Sequence, residues 1–293
     1  MNILNFGSLN IDYTYRVDRF VQPGETKQSR EMTVGAGGKG LNQSVALAMA
    51  GAQVYHAGLF GQGGAFLRTA LSDSGVDCSY LSENRQPNGH AIIQLEDGGQ
   101  NCILLYAGTN HLLTADYADR VLAHFDEGDI LLLQNETNLV AELIEKGAAK
   151  GLRVALNAAP MTDAVQDYPL DKLTWLIVNE TEGAALTGKT DPGEIAKAIA
   201  EKYPQLALVL TLGTDGVIYR QGEIELYVPA RRVTAVDTTG AGDTFTGFFL
   251  AAVADGSDAA YAMTFAATAA ALAVQKPGSS ASIPTLEEVL KAL

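Results

Sequence analysis

The run Asp237-Thr238-Thr239-Gly240-Ala241-Gly242-Asp243-Thr244-Phe245-Thr246-Gly247 constrains this chain more than any other. A glycine turn leads straight into an apolar segment, with a carboxylate at the junction. The spacing predicts a helix from about Asp243 through Phe248, Phe249, Leu250 and Val253, ending before Gly256. The first N–H groups of a helix have no internal partner and carry a positive field outward. Gly240, Ala241 and Gly242 present no bulky side chain to keep an anion from those donors. An aspartate beside an anion site repels the anion, so Asp243 makes sense as a base acting on a nucleophile next to a transferring phosphoryl group. The alternative is a simple N-cap, a role aspartate fills well. Two features argue for more than capping. Asp237-Thr238-Thr239 adds a second carboxylate and two hydroxyls to the turn, and a second glycine cluster, Gly35-Ala36-Gly37-Gly38-Lys39-Gly40, leads into Leu41-Asn42-Gln43-Ser44.

The 293 residues are 47% hydrophobic, enough for a large core in one α/β domain or one with an inserted subdomain. A net charge of −14 argues against nucleic acid or an anionic membrane as partner. A nucleotide remains compatible, because backbone donors and a magnesium ion supply the local field it needs. The longest apolar stretch, Phe265 to Val274, is too short to span a bilayer, and the N-terminal segment reads as no signal peptide. Cys78 and Cys102 form no metal spacing, and His56, His90, His111 and His124 make no paired zinc pattern. The expectation is a soluble cytoplasmic protein.

Along the chain, short apolar runs read as buried strands at Ile3–Gly7, Val54–Leu59, Ile130–Leu133, Arg153–Leu156, Trp175–Val178 and Ala207–Leu212. Helical patterns fall at Asn42–Ala50, Ala65–Ser74, Leu139–Lys150, Pro192–Lys202, Ala259–Val274 and Leu286–Leu293. Such alternation predicts a doubly wound, mostly parallel sheet flanked by helices. Ile218–Tyr219 and Ile224–Val228 read as a hairpin around Gly222. A second hairpin pairs His90–Leu95 with Asn101–Tyr106 through Glu96-Asp97-Gly98-Gly99-Gln100. The extended regions 10–33 and 90–107 do not suit a doubly wound core. They are expected to form a small β-sheet lid over a core made of 1–9, 34–89 and 108–293; the alternative is that they are edge strands of the main sheet.

Gly35 to Gly40 matches the G-x-G-x-x-G pattern of dinucleotide sites, but its context is wrong. The first strand already ends at Gly7, and no acidic residue lies between Glu31 and Asp73 to hold a ribose. It is no P-loop either, since Gly40 follows Lys39 where Ser or Thr is required. What remains is a glycine turn that sets Lys39 and Asn42 at a helix start, where polar groups can hold a ligand's hydroxyls.

Together these segments resemble the ribokinase-like carbohydrate kinase family, also called the PfkB family, over nearly the whole chain and in order. The early signature is similar to Gly37-Gly38-Lys39-Gly40-Leu41-Asn42-Gln43-Ser44 followed by Gly51-Ala52, and the late one to Asp237–Gly247. Asn179-Glu180-Thr181-Glu182 and Thr211-Leu212-Gly213-Thr214-Asp215-Gly216-Val217 resemble the family's nucleotide-site segments. Gly7-Ser8-Leu9-Asn10-Ile11-Asp12, Pro23-Gly24-Glu25-Thr26 and Gln134-Asn135-Glu136 are most similar to its ribokinase branch, although Asn135 departs from the usual apolar residue.

The resemblance implies an ATP-dependent kinase for the primary hydroxyl of a pentose, foremost D-ribose. Another sugar or a nucleoside, and a non-catalytic sugar-sensing module, are the alternatives. It implies Asp243 as base and Gly240, Ala241 and Gly242 as donors to the γ-phosphoryl group. Asn10, Asp12, Gly38, Lys39, Asn42 and Glu136 would hold sugar hydroxyls. Asn179 and Glu182 would organise phosphate and hydrated magnesium, and Thr211, Gly213 and Gly216 would wall the nucleotide. Asp237, Thr239, Ala273, Lys276, Gly278 and Ser282 resemble a monovalent-cation (potassium) loop, with Pro277 as a departure that removes a backbone N–H. A homodimer through the lid is expected, because a small sheet with an exposed apolar face needs a cover.

Overall fold

The structure is a computed structural model that describes residues 1–98 and 100–293; Gly99, in the expected hairpin turn, lies outside the described residues. The strands are β1 (Ile3–Phe6), β2 (Asn10–Val17), β3 (Glu31–Gly37), β4 (Val54–Gln62), β5 (Asp77–Pro87), β6 (Gly89–Glu96), β7 (Asn101–Tyr106), β8 (Ile130–Gln134), β9 (Arg153–Asn157), β10 (Trp175–Asn179), β11 (Ala207–Thr211), β12 (Val217–Gln221) and β13 (Ile224–Val228). The helices are α1 (Lys39–Met49), α2 (Ala65–Asp73), α3 (Ala115–Leu122), α4 (Val140–Ala149), α5 (Glu180–Thr187), α6 (Pro192–Lys202), α7 (Ala241–Ala254), α8 (Ala259–Ala273) and α9 (Leu286–Ala292).

The large sheet has the order β13-β12-β11-β10-β9-β8-β1-β4-β5. It is parallel from β11 to β5, with the antiparallel hairpin β12–β13 on one edge. Both faces are buried, and period-two alternation sorts the side chains between them. In β8, Ile130 and Leu132 enter one core with α1, α2, α7 and α8. Leu131 and Leu133 enter the other with α3, α4 and α6.

From β1 the chain moves outward to β4 and β5, then returns to β8 on the other side of β1 and proceeds through β9, β10 and β11. Strands β1 and β8 therefore flank the point where the winding reverses. Ligands of open α/β sheets bind in the crevice outside the carboxyl ends of such strands. Polar residues collect at that edge: Gln134 faces Asn157 in register, and Asn179 faces Thr211.

A separate four-stranded sheet has the order β3-β2-β6-β7. It is not part of the large sheet's edge. Strand β3 runs through Gly35 and Ala36 to Gly37, which pairs with Asn10, so half of the expected glycine turn is strand.

Helix α7 is mainly apolar after its first two turns and buried along most of its length, with Phe248, Phe249 and Leu250 fully buried. It starts at Ala241, two residues before the expected Asp243, because Gly240 caps it in the left-handed conformation (φ 76°). Gly247 lets α7 lie directly on α1: a Cβ there would collide with Ala46 and reach Leu47 N at 2.8 Å. That close approach brings Asn42 and Gln43 of α1 against Asp243.

Candidate active site

Asp243 is buried, at 6% exposure, in the first turn of α7. Asn42 Nδ2 donates to its Oδ2 at 3.0 Å, and Gln43 Nε2 donates to its Oδ1 at 2.8 Å. Asn42 Oδ1 is buried without a partner among the described residues, which leaves an acceptor for a hydroxyl. A cavity of about 250 Å³ opens in front of Asp243 and is lined by Lys39, Asn157, Ala159, Ile177, Val178, Asn179, Glu182, Thr211, Thr238, Gly240 and Gly242. A larger cavity of about 480 Å³ lies at the far ends of α1 and α7, but Asp255 is its only carboxylate. Chemistry rather than size selects the site.

On the other side of Asp243 stand the residues that resemble sugar contacts. Ser8, in the loop after β1, donates its hydroxyl to Glu136 Oε2, and the same carboxylate oxygen accepts the Lys39 N–H at 2.9 Å. Gly40 N donates to Ser8 Oγ at 3.1 Å. Burial pushes the Glu136 carboxyl up, while Lys39 and the Ser8 hydroxyl oppose the shift. Asp12 is raised to about 7, first by burial and then by the neighbouring carboxylates of Glu136 and Asp243. Gly37 makes room for it, since a Cβ there would collide with the Asp12 carboxyl group. Asn10 Oδ1 accepts from Asn110 Nδ2 at 2.7 Å, and Gly38 is the N-cap of α1.

Lys39 ties the two halves. Asp243 raises its pKa, burial opposes, and Glu136 and Glu182 add to the rise. Its ammonium forms no salt bridge with any described carboxylate, so its donors are free for a ligand.

On the nucleotide side, Asn179 caps α5 in a reciprocal box with Glu182: Asn179 Oδ1 accepts Glu182 N and Glu182 Oε2 accepts Asn179 N, both at 2.9 Å. Burial raises Glu182, opposed by the Asn179 N–H and Lys39. One of its oxygens is left for the cavity. Gly240 and Gly242 line the cavity; Ala241 does not, and its N–H points to Thr238 O at 3.3 Å. Thr211 lines it too, whereas Gly213 and Gly216 lie beyond its wall in the turn before β12.

In the loop that resembles a cation site, Asp237 accepts the N–H groups of Thr239 and Gly278, both at 2.9 Å. Burial raises this carboxyl, and those N–H donors outweigh it, so the net shift is downward. Pro277 removes only its own N–H; the one Asp237 uses belongs to Gly278. Ala273 O accepts Lys276 N at 3.1 Å, and the Ser282 hydroxyl donates to Ser279 O at 2.9 Å.

Sequence reasoning places Gln43 in the early signature without giving it a role, and it misses Asn88 and Asn110. Asn88 Nδ2 donates to Leu9 O at 2.8 Å and Asn110 Oδ1 accepts Leu9 N at 2.9 Å, so both fix the loop that carries Asn10. Their partners are distant in sequence, and no local pattern marks them. Asn135, the departure from the family pattern, has a structural use: Nδ2 donates to Pro160 O at 2.7 Å and Thr162 Oγ1 at 3.0 Å, and Oδ1 accepts the Tyr168 hydroxyl at 2.6 Å.

Residues 2–286 match the model of the pfkB family of carbohydrate kinases, and the chain belongs to that family and is a sugar kinase. More particularly, it is 34% identical to a ribokinase of Haemophilus influenzae over 98% of this chain and 96% of that one. It is 31% identical to a deoxyribokinase of Salmonella typhi, with 98% and 97% covered. The solved structure of Arabidopsis thaliana ribokinase complexed with ribose and ATP superposes with a TM-score of 0.88 at 32% identity, covering 99% of this chain and 97% of that one.

Proposed function

We propose that the protein transfers the γ-phosphoryl group of ATP to the primary hydroxyl of D-ribose, giving ribose 5-phosphate. The observation that carries this reading is Asp243. Its buried carboxylate is gripped by two amides and lies between a cluster of hydroxyl-binding groups and a cavity lined by Gly240 and Gly242. In this reading Asp243 accepts the hydroxyl proton as the sugar oxygen bonds to phosphorus and ADP departs with the electrons of its bridging bond. The N–H groups of the Gly240-Ala241-Gly242 turn spread the charge on the equatorial oxygens; Ala241 joins them when its loose bond to Thr238 opens. Asn10, Asp12, Gly38, Lys39, Asn42 and Glu136 hold the remaining sugar hydroxyls. A site of such groups rejects sugars that leave them unpaired. The ribokinase relatives and the ribose-bound neighbour favour ribose over the deoxyribose suggested by the Salmonella relative.

Asn179 and Glu182 would position phosphate and a hydrated magnesium ion; a largely buried carboxylate with a spare oxygen suits an ion that keeps its waters. Held there, magnesium would supply positive charge against the charge that develops on the phosphate oxygens. Thr211, Gly213 and Gly216 would form the nucleotide wall. Asp237, Thr239, Ala273, Lys276, Gly278 and Ser282 would hold potassium. The N–H groups of Thr239 and Gly278, donated to the Asp237 carboxylate, brace that loop and occupy no main-chain carbonyl themselves.

The small sheet (10–33 and 90–107, extended by β3 to Gly37) would act as the lid, excluding water as it closes. It exposes Val34, Ile92 and Leu104 in one cross-strand row and Ile103 and Leu105 on the opposite face, so a second copy is the natural cover. Light scattering at micromolar concentration should give a dimer; a monomer removes this part of the reading.

The test of function is ADP release with ATP and magnesium across a panel of sugars. Ribose should exceed deoxyribose and fructose. No sugar-dependent ADP release at all would leave a sensing module on this fold.

A further inference from the structure

Behind Asp243 runs a chain of buried side-chain hydrogen bonds that none of the roles above uses. Gln43 Nε2 donates to Asp243 Oδ1 at 2.8 Å. Gln134 Nε2 donates to Gln43 Oε1 at 2.7 Å and to Asn5 Oδ1 at 2.9 Å. Asn5 Nδ2 passes the chain to Gly40 O and Ser44 Oγ, each at 2.8 Å. The Ser44 hydroxyl meets His56 Nδ1 at 2.8 Å, and His56 Nε2 meets Gly7 O at 3.2 Å. Gln43, Gln134, Asn5, Ser44 and His56 are all at 0% exposure.

The ends of this chain fix its direction. A carboxylate and a main-chain carbonyl only accept, so Gln43 must turn its NH₂ to Asp243 and its oxygen to Gln134. His56 then donates from Nε2 to Gly7 and accepts from Ser44 at Nδ1. Burial keeps this imidazole neutral, with its pKa pushed down to about 4. Gln134 donates twice through Nε2 and its Oε1 has no partner among the described residues, while Gln43 and Asn5 are each held at both ends. By contrast, Asn42 holds Asp243 Oδ2 while its own Oδ1 has no partner among the described residues. One such bond leaves a carboxylate free to pivot about it; a second, anchored bond fixes its plane.

We propose that Gln43 is a positioning residue that fixes the Asp243 carboxylate toward the acceptor hydroxyl, with Gln134 locking Gln43 in that orientation. The proposal rests on Asp243 as proton acceptor. It explains why Gln43, one turn into α1 and not part of the cavity wall, occupies a fully buried site beside Asp243. Proton transfer and in-line attack demand alignment to a fraction of an ångström, and alignment lost is rate lost rather than binding lost.

Gln43→Met keeps the volume and removes the donor. Losing a bond to a charged group predicts a fall in kcat of about 10- to 100-fold, with KM for sugar and for ATP changed by less than about threefold. Because Gln43 acts through Asp243, the same change in a D243N background should cost nothing more. A crystal structure of the Q43M protein should show the Asp243 carboxylate turned from its wild-type plane. Gln134→Met should give a smaller fall of the same kind, about three- to tenfold, and carries the test if Q43M melts below assay temperature. Multiplying effects in the D243N background, or an unchanged carboxylate plane, overturns the proposal. If the wild-type protein phosphorylates no sugar, the kinase reading fails, and the crystal structure still decides the positioning role.

Discussion

The two halves of the site are built differently. The acceptor half, around Asp243, Glu136 and Asp12, is made of buried and half-buried side chains, most of them tied to one another by hydrogen bonds between α1 and α7 and between α1 and the loops after β1 and β8. The nucleotide half, around Asn179, Thr238 and Gly240, is made of loop backbone and helix starts facing an open cavity. Burial moves the carboxyl groups of Asp12 and Glu136 upward in the first half and that of Glu182 upward in the second, where Asp237 alone moves downward because main-chain N–H donors outweigh its burial. A sugar is distinguished by the placement of its hydroxyls, which calls for rigid partners. A triphosphate is recognised mainly by charge, which backbone amides and ions meet without a dry cage.

The sharpest way to break this contrast is at Asp243. Asp243→Asn should lower kcat by roughly 10²–10⁴-fold, the range for a general base, while ATP affinity measured by calorimetry stays nearly constant. A loss of less than about tenfold would mean that alignment and the anion turn suffice without the base. Next in size is Gly247→Val, which forces α7 away from α1 across a contact with no spare room. Overpacking of this kind costs about 1–3 kcal/mol, to be read from chemical unfolding, and the displaced Asn42 and Gln43 should lower turnover further. Wild-type stability and activity would show that the halves tolerate a wider helix spacing.

Asp12 gives a pH-dependent prediction. Its folded value of about 7 lies above its ordinary 3.8, so between those values the folded protein holds a proton that the unfolded chain has released. Stability therefore falls as pH rises through this window, and the penalty is complete above pH 7. Asp12→Asn should raise Tm by roughly 2–4 °C at pH 8, and the gain should fade as pH falls toward 3.8, even as sugar affinity drops. A gain that grows on acidification would reverse the sign and remove the burial argument. The smallest effect is expected in the nucleotide half. Gly213, at φ 55°, disfavours any side chain, so Gly213→Ala should cost about 1 kcal/mol and raise KM for ATP a few-fold with sugar KM untouched.

The nucleotide half is also the more legible in sequence, because its parts are local. Glycine turns, caps and helix starts sit within a few residues of one another, and Asp237–Gly247 announces itself. The parallel core is legible for the same reason, through apolar runs separated by helical periods. Strand β5 is not, since Asp77–Pro87 is mostly polar and lies at the sheet edge, half exposed. Helix α3 escapes the sequence reading because it is short, although its Thr114 cap accepts Tyr117 N at 3.2 Å. In the acceptor half, Gln43 and Gln134 are 91 positions apart, and Asn10 and Asn110 are 100 apart. Only the fold brings such pairs together, and single-chain periodicity carries no trace of them.

The reversal of winding between β1 and β8 has a consequence for how this enzyme can change. In the proposed reading, elements that grip the acceptor leave the sheet on both sides of that point, whereas those that receive the phosphate donor come from the ends of β10 and β11 and from the turn that precedes α7. Substitutions in the loops after β1 and β8 can therefore retune which alcohol is chosen while the donor machinery stays as it is. On that reading the architecture separates the choice of acceptor from the chemistry of transfer, and a lineage could explore new substrates without rebuilding its engine.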